Sequence, residues 1–185
     1  MTETPAASPG LGGAVRRRRR ALDLTLAAVA RRSGLSAPFL SQIENERARP
    51  SMRSLQRIAD GLGTTAVELL AAADAVDRRV DVVRAREDPG LAPDAGVRPL
   101  VRGRQQMHAL EFTGAQHADR EFEHRGDELM YVADGAAEVE AEGSTYRLGR
   151  GDTLYLTGGV RHRWRATSPD TRVLLVSVSD RFPGD

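Results

Sequence analysis

Residues 24–63 read LTLAAVARRSGLSAPFLSQIENERARPSMRSLQRIADGLG, and three hydroxyl side chains divide them. Thr25 precedes an apolar-periodic segment that runs to about Arg32, and Ser36 precedes a second that runs to about Glu44. A Ser or Thr oxygen in that position accepts a hydrogen bond from a backbone N–H that the start of a helix leaves without an internal partner. Gly34, between the two segments, takes a turn conformation that a side chain resists. The pattern predicts two short helices meeting across a tight turn, with Ala28 and Leu35 at their contact and Leu40 and Ile43 facing inward. Ser51 opens a further helix whose core stripe is Leu55, Ile58 and Leu62. With those positions buried, the other face of the helix over 36–44 is turned to solvent.

The surrounding chain divides into two kinds of pattern. Over residues 11–73 the apolar positions recur at helical spacing with brief Gly, Ser and Pro interruptions, which predicts a bundle of about five short helices behind a disordered tail at 1–10. From residue 98 to 185 the pattern is alternation and short β-prone runs, MHALEF, ELMYVADG, DTLYL and RVLLVSVS, punctuated by glycine. Residues 74–97, which include REDPGLAPDAG, hold too much Pro, Gly and charge for a core and read as a linker with a possible first strand. The fold class is therefore α plus all-β in two domains.

Composition narrows the chemistry. The 185 residues contain no cysteine, which excludes disulfides and thiolate metal sites, so a metal would need histidine, carboxylate, carbonyl or water. No apolar run approaches the ~20 residues that cross a bilayer, and the first ten residues have no signal-peptide pattern, so the expected location is the cytoplasm, with no membrane partner. The net charge of +1 hides an asymmetry: residues 1–73 carry 11 Arg against 6 acidic residues, a balance of +5, and residues 74–185 carry 16 Arg against 20, a balance of −4. The first part suits a polyanion and the second does not. All 27 basic residues are Arg, which reflects base composition and carries no functional reading. The run Arg16–Arg20 is expected to form a solvated face adding diffuse attraction to phosphate.

The stretch TLAAVARRSGLSAPFLSQIENERARPSMRSLQRIADGLG resembles the DNA-binding domain of the Xre family, similar to phage Cro and repressor proteins, over roughly residues 11–70. The resemblance implies a five-helix lambda-repressor-like bundle whose helix from Ser36 enters the major groove. It places Ala37, Pro38, Ser41 and Gln42 toward base edges and Thr25, Ser36, Asn45 and Arg47 near phosphates. The side chains agree with that assignment, since Gln42 can bond adenine in bidentate fashion and a capped helix start offers N–H groups and a positive dipole end to phosphate. A helix-turn-helix is also a common packing unit, but the +5 balance on the same domain favours DNA. The implied partners are a pseudo-palindromic operator in double-stranded DNA and a second copy of the chain, because such operators present two half-sites.

In the β half, His124 and Glu128 stand four residues apart in HRGDELMYV, and His162 follows in GDTLYLTGGVRHRW. These two motifs resemble those of the cupin superfamily, over roughly residues 98–179, and imply a double-stranded β-helix barrel acting as a sensor for an unidentified small-molecule effector. Metal-binding cupins carry two histidines separated by one residue before the Glu; here Phe122 holds the first of those positions, so a four-ligand site is absent. His124, Glu128 and His162 remain, the composition of the two-His, one-carboxylate triad that holds Fe(II). No cofactor is certain; a divalent metal at these three residues, Fe, Zn, Mn or Ni, is the candidate.

Three functions follow from the two resemblances. The first is a sequence-specific transcriptional regulator whose cupin domain dimerises and binds an effector or metal, with no catalytic residue. The second is an Fe(II)-dependent oxygenase or epoxidase on a vestigial helix-turn-helix scaffold, an arrangement known in an iron epoxidase. The third is a DNA-binding protein whose barrel only dimerises. Tyr131, Tyr155 and Trp164 lie on β-prone runs and are weaker pocket candidates, expected to fill a barrel interior or a dimer face. Arg161 and Arg163 flank His162 and should point away from it by strand alternation, while His108 and His117 show no partner spacing and receive no role.

Overall fold

A computed structural model describes residues 10–73, 79–103, 105–116 and 121–178. The expected N-terminal tail lies outside the described residues except for Gly10, which already belongs to the first helix, and His117 lies outside them too. The chain forms two compact units, one of residues up to 95 together with 102 and 103, the other of the remaining residues from 96 onward.

The helical unit contains α1 (Gly10–Ala21), α2 (Leu26–Ser33), α3 (Ala37–Glu44), α4 (Met52–Gly61) and α5 (Ala66–Ala73). The three hydroxyl residues are the three N-caps: Thr25 accepts from the N–H of Ala28, Ser36 from Phe39 and Ser51 from Ser54. Gly34 ends α2 in the left-handed conformation, φ 64°, which only a residue without a Cβ takes at little cost. Pro38 sits in the first turn of α3, where its missing N–H forfeits no helical bond. Leu40, Ile43, Leu55, Ile58 and Leu62 are all buried at 1% exposure or less, as the periodicity requires. At the α2 contact the buried residue is Val29; Ala28, expected there, is only half-buried, as is Leu35. The expected contact was one position off.

Two observations correct the sequence reading of this unit. Four of the five arginines from Arg16 to Arg20 are committed to partners within the unit, while Arg17 and Arg20 stay exposed. Arg17 donates to the carbonyl of Ala72, Arg18 to those of Leu62 and Gly63, and Arg16 and Arg19 reach Glu44. Cations at a helix C-terminus satisfy carbonyls that have no intrahelical donor. Residues 79–95 are loop, but they pack into the unit. Leu91 is buried, the N–H of Ala92 donates to the carbonyl of Pro50, and Arg49 holds Asp88 through two hydrogen bonds. Arg102 similarly bridges Asp81 and Glu87.

The path of α1 past α3 depends on one glycine. A Cβ on Gly12 would lie 2.0 Å from the carbonyl oxygen of Ile43. Since that atom is backbone and cannot swing aside, Gly12→Ala is expected to cost about 1–3 kcal/mol of stability. The check is the thermal midpoint of the full chain, with a fall of about 5–15 °C for its helical transition; an unchanged midpoint would mean that the helices do not approach so closely.

The β unit holds two facing sheets. One has the order β1-β2-β8-β3-β6, formed by β1 (Val97–Pro99), β2 (Met107–Thr113), β8 (Arg172–Val178), β3 (Glu128–Asp134) and β6 (Thr153–Leu156). The other has the order β5-β4-β7, formed by β5 (Ser144–Gly149), β4 (Ala136–Ala141) and β7 (His162–Ala166). All described pairings are antiparallel. Strand alternation gives each sheet one inner face. Val132, Val139 and Val173, all at 0% exposure, lie on the inner faces, and Phe112 meets Trp164 edge to face at 5.3 Å. The outer face of the three-stranded sheet is a ladder of charge, with Glu138 between Arg147 and Arg165 and Glu140 paired with Arg163.

Candidate functional site

On the helical unit, the residues expected to meet DNA lie at the N-cap of α2, along α3 with its two caps, and in the turn that follows it. Pro38, Gln42 and Asn45 are exposed, Ala37 and Ser41 are half-buried, and Thr25, Ser36 and Arg47 are exposed. None of the eight is part of the core. Arg57 clamps the turn that orients α3, donating to the carbonyls of Ser33 (2.8 Å) and Gly34 (2.5 Å). Asn45 is held on both sides of its amide: its nitrogen donates to the Ser41 carbonyl at 2.7 Å and its oxygen accepts from Arg16 at 2.6 Å. That bond brings Arg16, still 37% exposed along its side chain, to the end of α3. Arg16 is the residue at the end of α3 that sequence reasoning missed, because one pattern of five identical arginines gives no sign of which one turns toward α3.

The buried back of α3 is as specific as its front. Glu44 is 5% exposed, and its carboxylate accepts from Arg19 Nε (2.6 Å) and Arg19 Nη2 (2.7 Å). Arg19 also donates to the carbonyl of Leu24, and the hydrogen bonds to Glu44 hold its guanidinium still more firmly charged than usual, against the opposing effect of burial. Two residues later, beyond the end of α3, Glu46, at φ 56°, accepts from the N–H of Gly12 at 2.7 Å, placing a carboxylate at the N-terminus of α1. Both acids tie the end of α3 to α1.

In the β unit, pairing and alternation sort the interior into layers. At one end of the five-stranded sheet His108 pairs with Ser177, and Ser177 with Glu128, so these three share a row on the inner face. The next row inward is Leu110, Leu175 and Met130, and beyond it lie Phe112, Val173 and Val132. On the facing sheet His162 stands at the end of β7, two residues from the buried Trp164. The polar groups therefore gather at one end over an apolar floor.

At that end His124, Glu128 and His162 come together, with one ligand atom from each within 4.8 Å of the others. His162 Nε2 lies 3.2 Å from Glu128 Oε1, and His124 Nε2 lies 3.6 Å from Glu128 Oε2. His162 Nδ1 is 3.1 Å from the carbonyl of Val160; donation there leaves Nε2 to face Glu128. Phe122, which holds the missing first ligand position, bridges to His162 through paired backbone hydrogen bonds of 2.7 and 2.9 Å, and its ring stacks on His124 at 6.1 Å. Gly158 lies close against the backbone of Arg125, between His124 and Glu128, since a Cβ there would meet the Arg125 carbonyl at 1.9 Å.

The donor set fits a divalent metal. Glu128 Oε1 is buried and accepts no hydrogen bond, and two imidazole nitrogens of suitable type face the same carboxylate. Burial opposes the charged form of His162, but the Glu128 carboxylate and the Val160 carbonyl outweigh it and raise its pKa above the ordinary value. A histidine raised in this way contributes stability that is complete below its unfolded pKa and is lost as pH rises through the folded one. Chelator-treated protein is therefore expected to lose barrel stability as pH rises above neutrality, measured as a falling denaturation midpoint; a midpoint that rises over the same range would contradict it.

The remaining candidates separate cleanly. Trp164 lies inside, as expected. Tyr131 and Tyr155 do not: they are 39% and 57% exposed, on the outer face of β3 and β6. Tyr131 is three positions from the inward Glu128, so alternation turns it out, and Tyr155 pairs with the outward Leu129. The Tyr155 hydroxyl instead donates to Asp127, whose carboxyl it holds below the ordinary range together with the N–H of Gly158. Arg161 and Arg163 point away from His162, toward Glu123 and Glu140. His108, given no role from sequence, faces the same interior as the His–Glu–His group, a placement that only strand register reveals.

Comparison with known proteins agrees with this division. A family model for helix-turn-helix proteins matches residues 15–69, and one for the cupin domain matches residues 111–179. An uncharacterized protein of Streptomyces coelicolor is 31% identical over 85 residues, which cover 46% of this chain and 81% of that protein. The crystal structure of a helix-turn-helix family transcriptional regulator from Vibrio cholerae superposes over 94% of this chain and 97% of its own, with a TM-score of 0.59 and 16% identity, and so shares its fold. The hydroxypropylphosphonic acid epoxidase of S. wedmorenis matches over 94% of this chain and 100% of its own at 20% identity, with a TM-score of 0.43.

Proposed function

Because the chain belongs to the Xre-type helix-turn-helix proteins that carry a C-terminal cupin domain, we propose that it is a sequence-specific transcriptional regulator, binding a pseudo-palindromic operator as a homodimer. The observation that carries the reading is α3 itself, pinned from behind by Glu44 and Arg19 while Pro38, Gln42 and Asn45 stand exposed on its front. A rigid, capped helix with a polar outer face is what major-groove readout needs, and Asn45 with Arg16 supports phosphate contact at its end. The test is a hydroxyl-radical footprint of the full chain on the DNA upstream of its own gene. Two protected segments about 10 base pairs apart, or a multiple of that, are expected; uniform protection without periodic half-sites would count against the reading.

The barrel is the sensing part of the proposal, and His124, Glu128 and His162 are the residues that would hold a divalent metal in it. Bound there, such an ion supplies a Lewis acid with coordination positions left open to a small molecule. Protein purified without a histidine tag is expected to carry close to one equivalent of metal, and Glu128→Gln to lose it while keeping its fold. Wild-type protein that neither carries nor takes up metal would reduce the cluster to a hydrogen-bonding pocket.

The same cluster supports a second reading, an Fe(II)-dependent oxygenase, because two histidines and one carboxylate form the set such enzymes use. Stoichiometric iron without specific DNA binding would move this reading to first place.

A further inference from the structure

The end layer of the barrel interior holds more than the His–Glu–His group. His108 and Ser177 occupy the same inner-face row as Glu128, on the two neighbouring strands, so His108 stands two strand spacings, about 10 Å, from Glu128. Both are half-buried, open enough for a ligand and sheltered enough to hold it. Beneath them the row of Leu110, Leu175 and Met130 closes the floor, with Met130 only 1% exposed. A ligand in this layer is therefore small and lies across the row rather than down the barrel.

The charges and donors of the layer select its chemistry. A divalent ion held by one carboxylate, Glu128, and two neutral imidazoles keeps a net positive charge. At the other end of the row the Ser177 hydroxyl can donate, and so can the buried Nδ1 of His108; no second carboxylate stands among the described residues of that inner-face row. We infer that His108 and Ser177 form a distal oxyanion subsite, and that the barrel takes a small organic acid with two ends. One end meets the His124–Glu128–His162 group, and an oxyanion at the other reaches Ser177 and His108. Neither residue belongs to the metal-ligand set, and the role is one of recognition.

The inference rests on the metal reading of the triad, and the experiment separates the two. Full-length protein is loaded with Co(II), whose visible spectrum reports its coordination, and titrated with malate and with glycolate. Both probes present a hydroxy-acid end to the metal, but only malate has a distal carboxylate. Malate is expected to bind at least about tenfold tighter than glycolate, as a hydrogen-bonded charge requires. That advantage should collapse to about twofold in His108→Leu or Ser177→Ala, with Co(II) affinity and glycolate affinity unchanged. Ser177→Ala removes one oxygen and guards against a folding defect in the histidine variant. Equal affinity for the two acids, or an advantage that survives both substitutions, overturns the subsite while leaving the metal reading intact. Failure of the wild-type protein to bind Co(II) removes the metal reading and the subsite together.

Discussion

Replacing Glu44 by alanine is expected to destabilise the helical unit by about 3 kcal/mol or more, the lower part of the range for breaking a buried ion pair. The carboxylate is 3% exposed along its side chain and the Arg19 side chain 14%, so removing the acid strands a guanidinium against a helix interior. Arg19 retains one bond, to the carbonyl of Leu24, and Arg16 is exposed enough to recover water, which is why the upper part of the range is not reached. Against a typical domain stability of about 5–15 kcal/mol, such a loss raises the unfolded population about a hundredfold. Urea denaturation followed by circular dichroism measures it. Glu44→Gln, which keeps an acceptor but not the charge, should fall between wild type and alanine. A loss under about 0.5 kcal/mol for Glu44→Ala would mean that α3 is held by its apolar face alone.

The second large effect concerns recognition rather than stability. Gln42 is exposed in the second half of α3, serves the fold through its backbone carbonyl, which accepts from the N–H groups of Arg47 and Ala48 and survives substitution, and is the side chain there able to grip an adenine edge with two hydrogen bonds. Each such pair contributes about 1–3 kcal/mol of discrimination, and a dimer on a two-fold site uses it twice. Gln42→Ala is therefore expected to weaken operator binding by about 2–6 kcal/mol, to leave binding to unrelated duplex unchanged, and to leave the denaturation midpoint unchanged. Equal weakening on both duplexes would place Gln42 at the phosphate backbone instead.

How much of this was legible in the sequence depends on whether the information is local. The caps Thr25, Ser36 and Ser51 and the turn at Gly34 are visible because a helix start is satisfied by residues within three positions of it. The strands that alternate strongly are visible for the same reason. The roles of Arg16 and Arg19 are not, because Glu44 lies 28 and 25 positions away and nothing local distinguishes one arginine of a run from the next. The short strands β4 and β5 are not among the runs that sequence singles out, because the charged residues on their outer faces and the polar start of β5 weaken the apolar signal; β7 is legible only through the alternation around His162 and Trp164. Tyr131 is a different case: counting by twos from Glu128 turns it outward, and that reading needed no structure. His108 and Ser177 needed register, since only the pairing of β2 with β8 and of β8 with β3 sets them beside Glu128.

The central claim is that this chain reads a DNA sequence through α3. The most direct measurement is the affinity of the full chain for its own upstream DNA against a shuffled duplex of the same composition, by fluorescence anisotropy at 50 and 200 mM salt. Binding at least about a thousandfold tighter to the upstream DNA, with both affinities falling steeply as salt rises, is the expected result. Equal affinity for the two duplexes would contradict it, leaving a helix-turn-helix that holds DNA by charge alone or not at all.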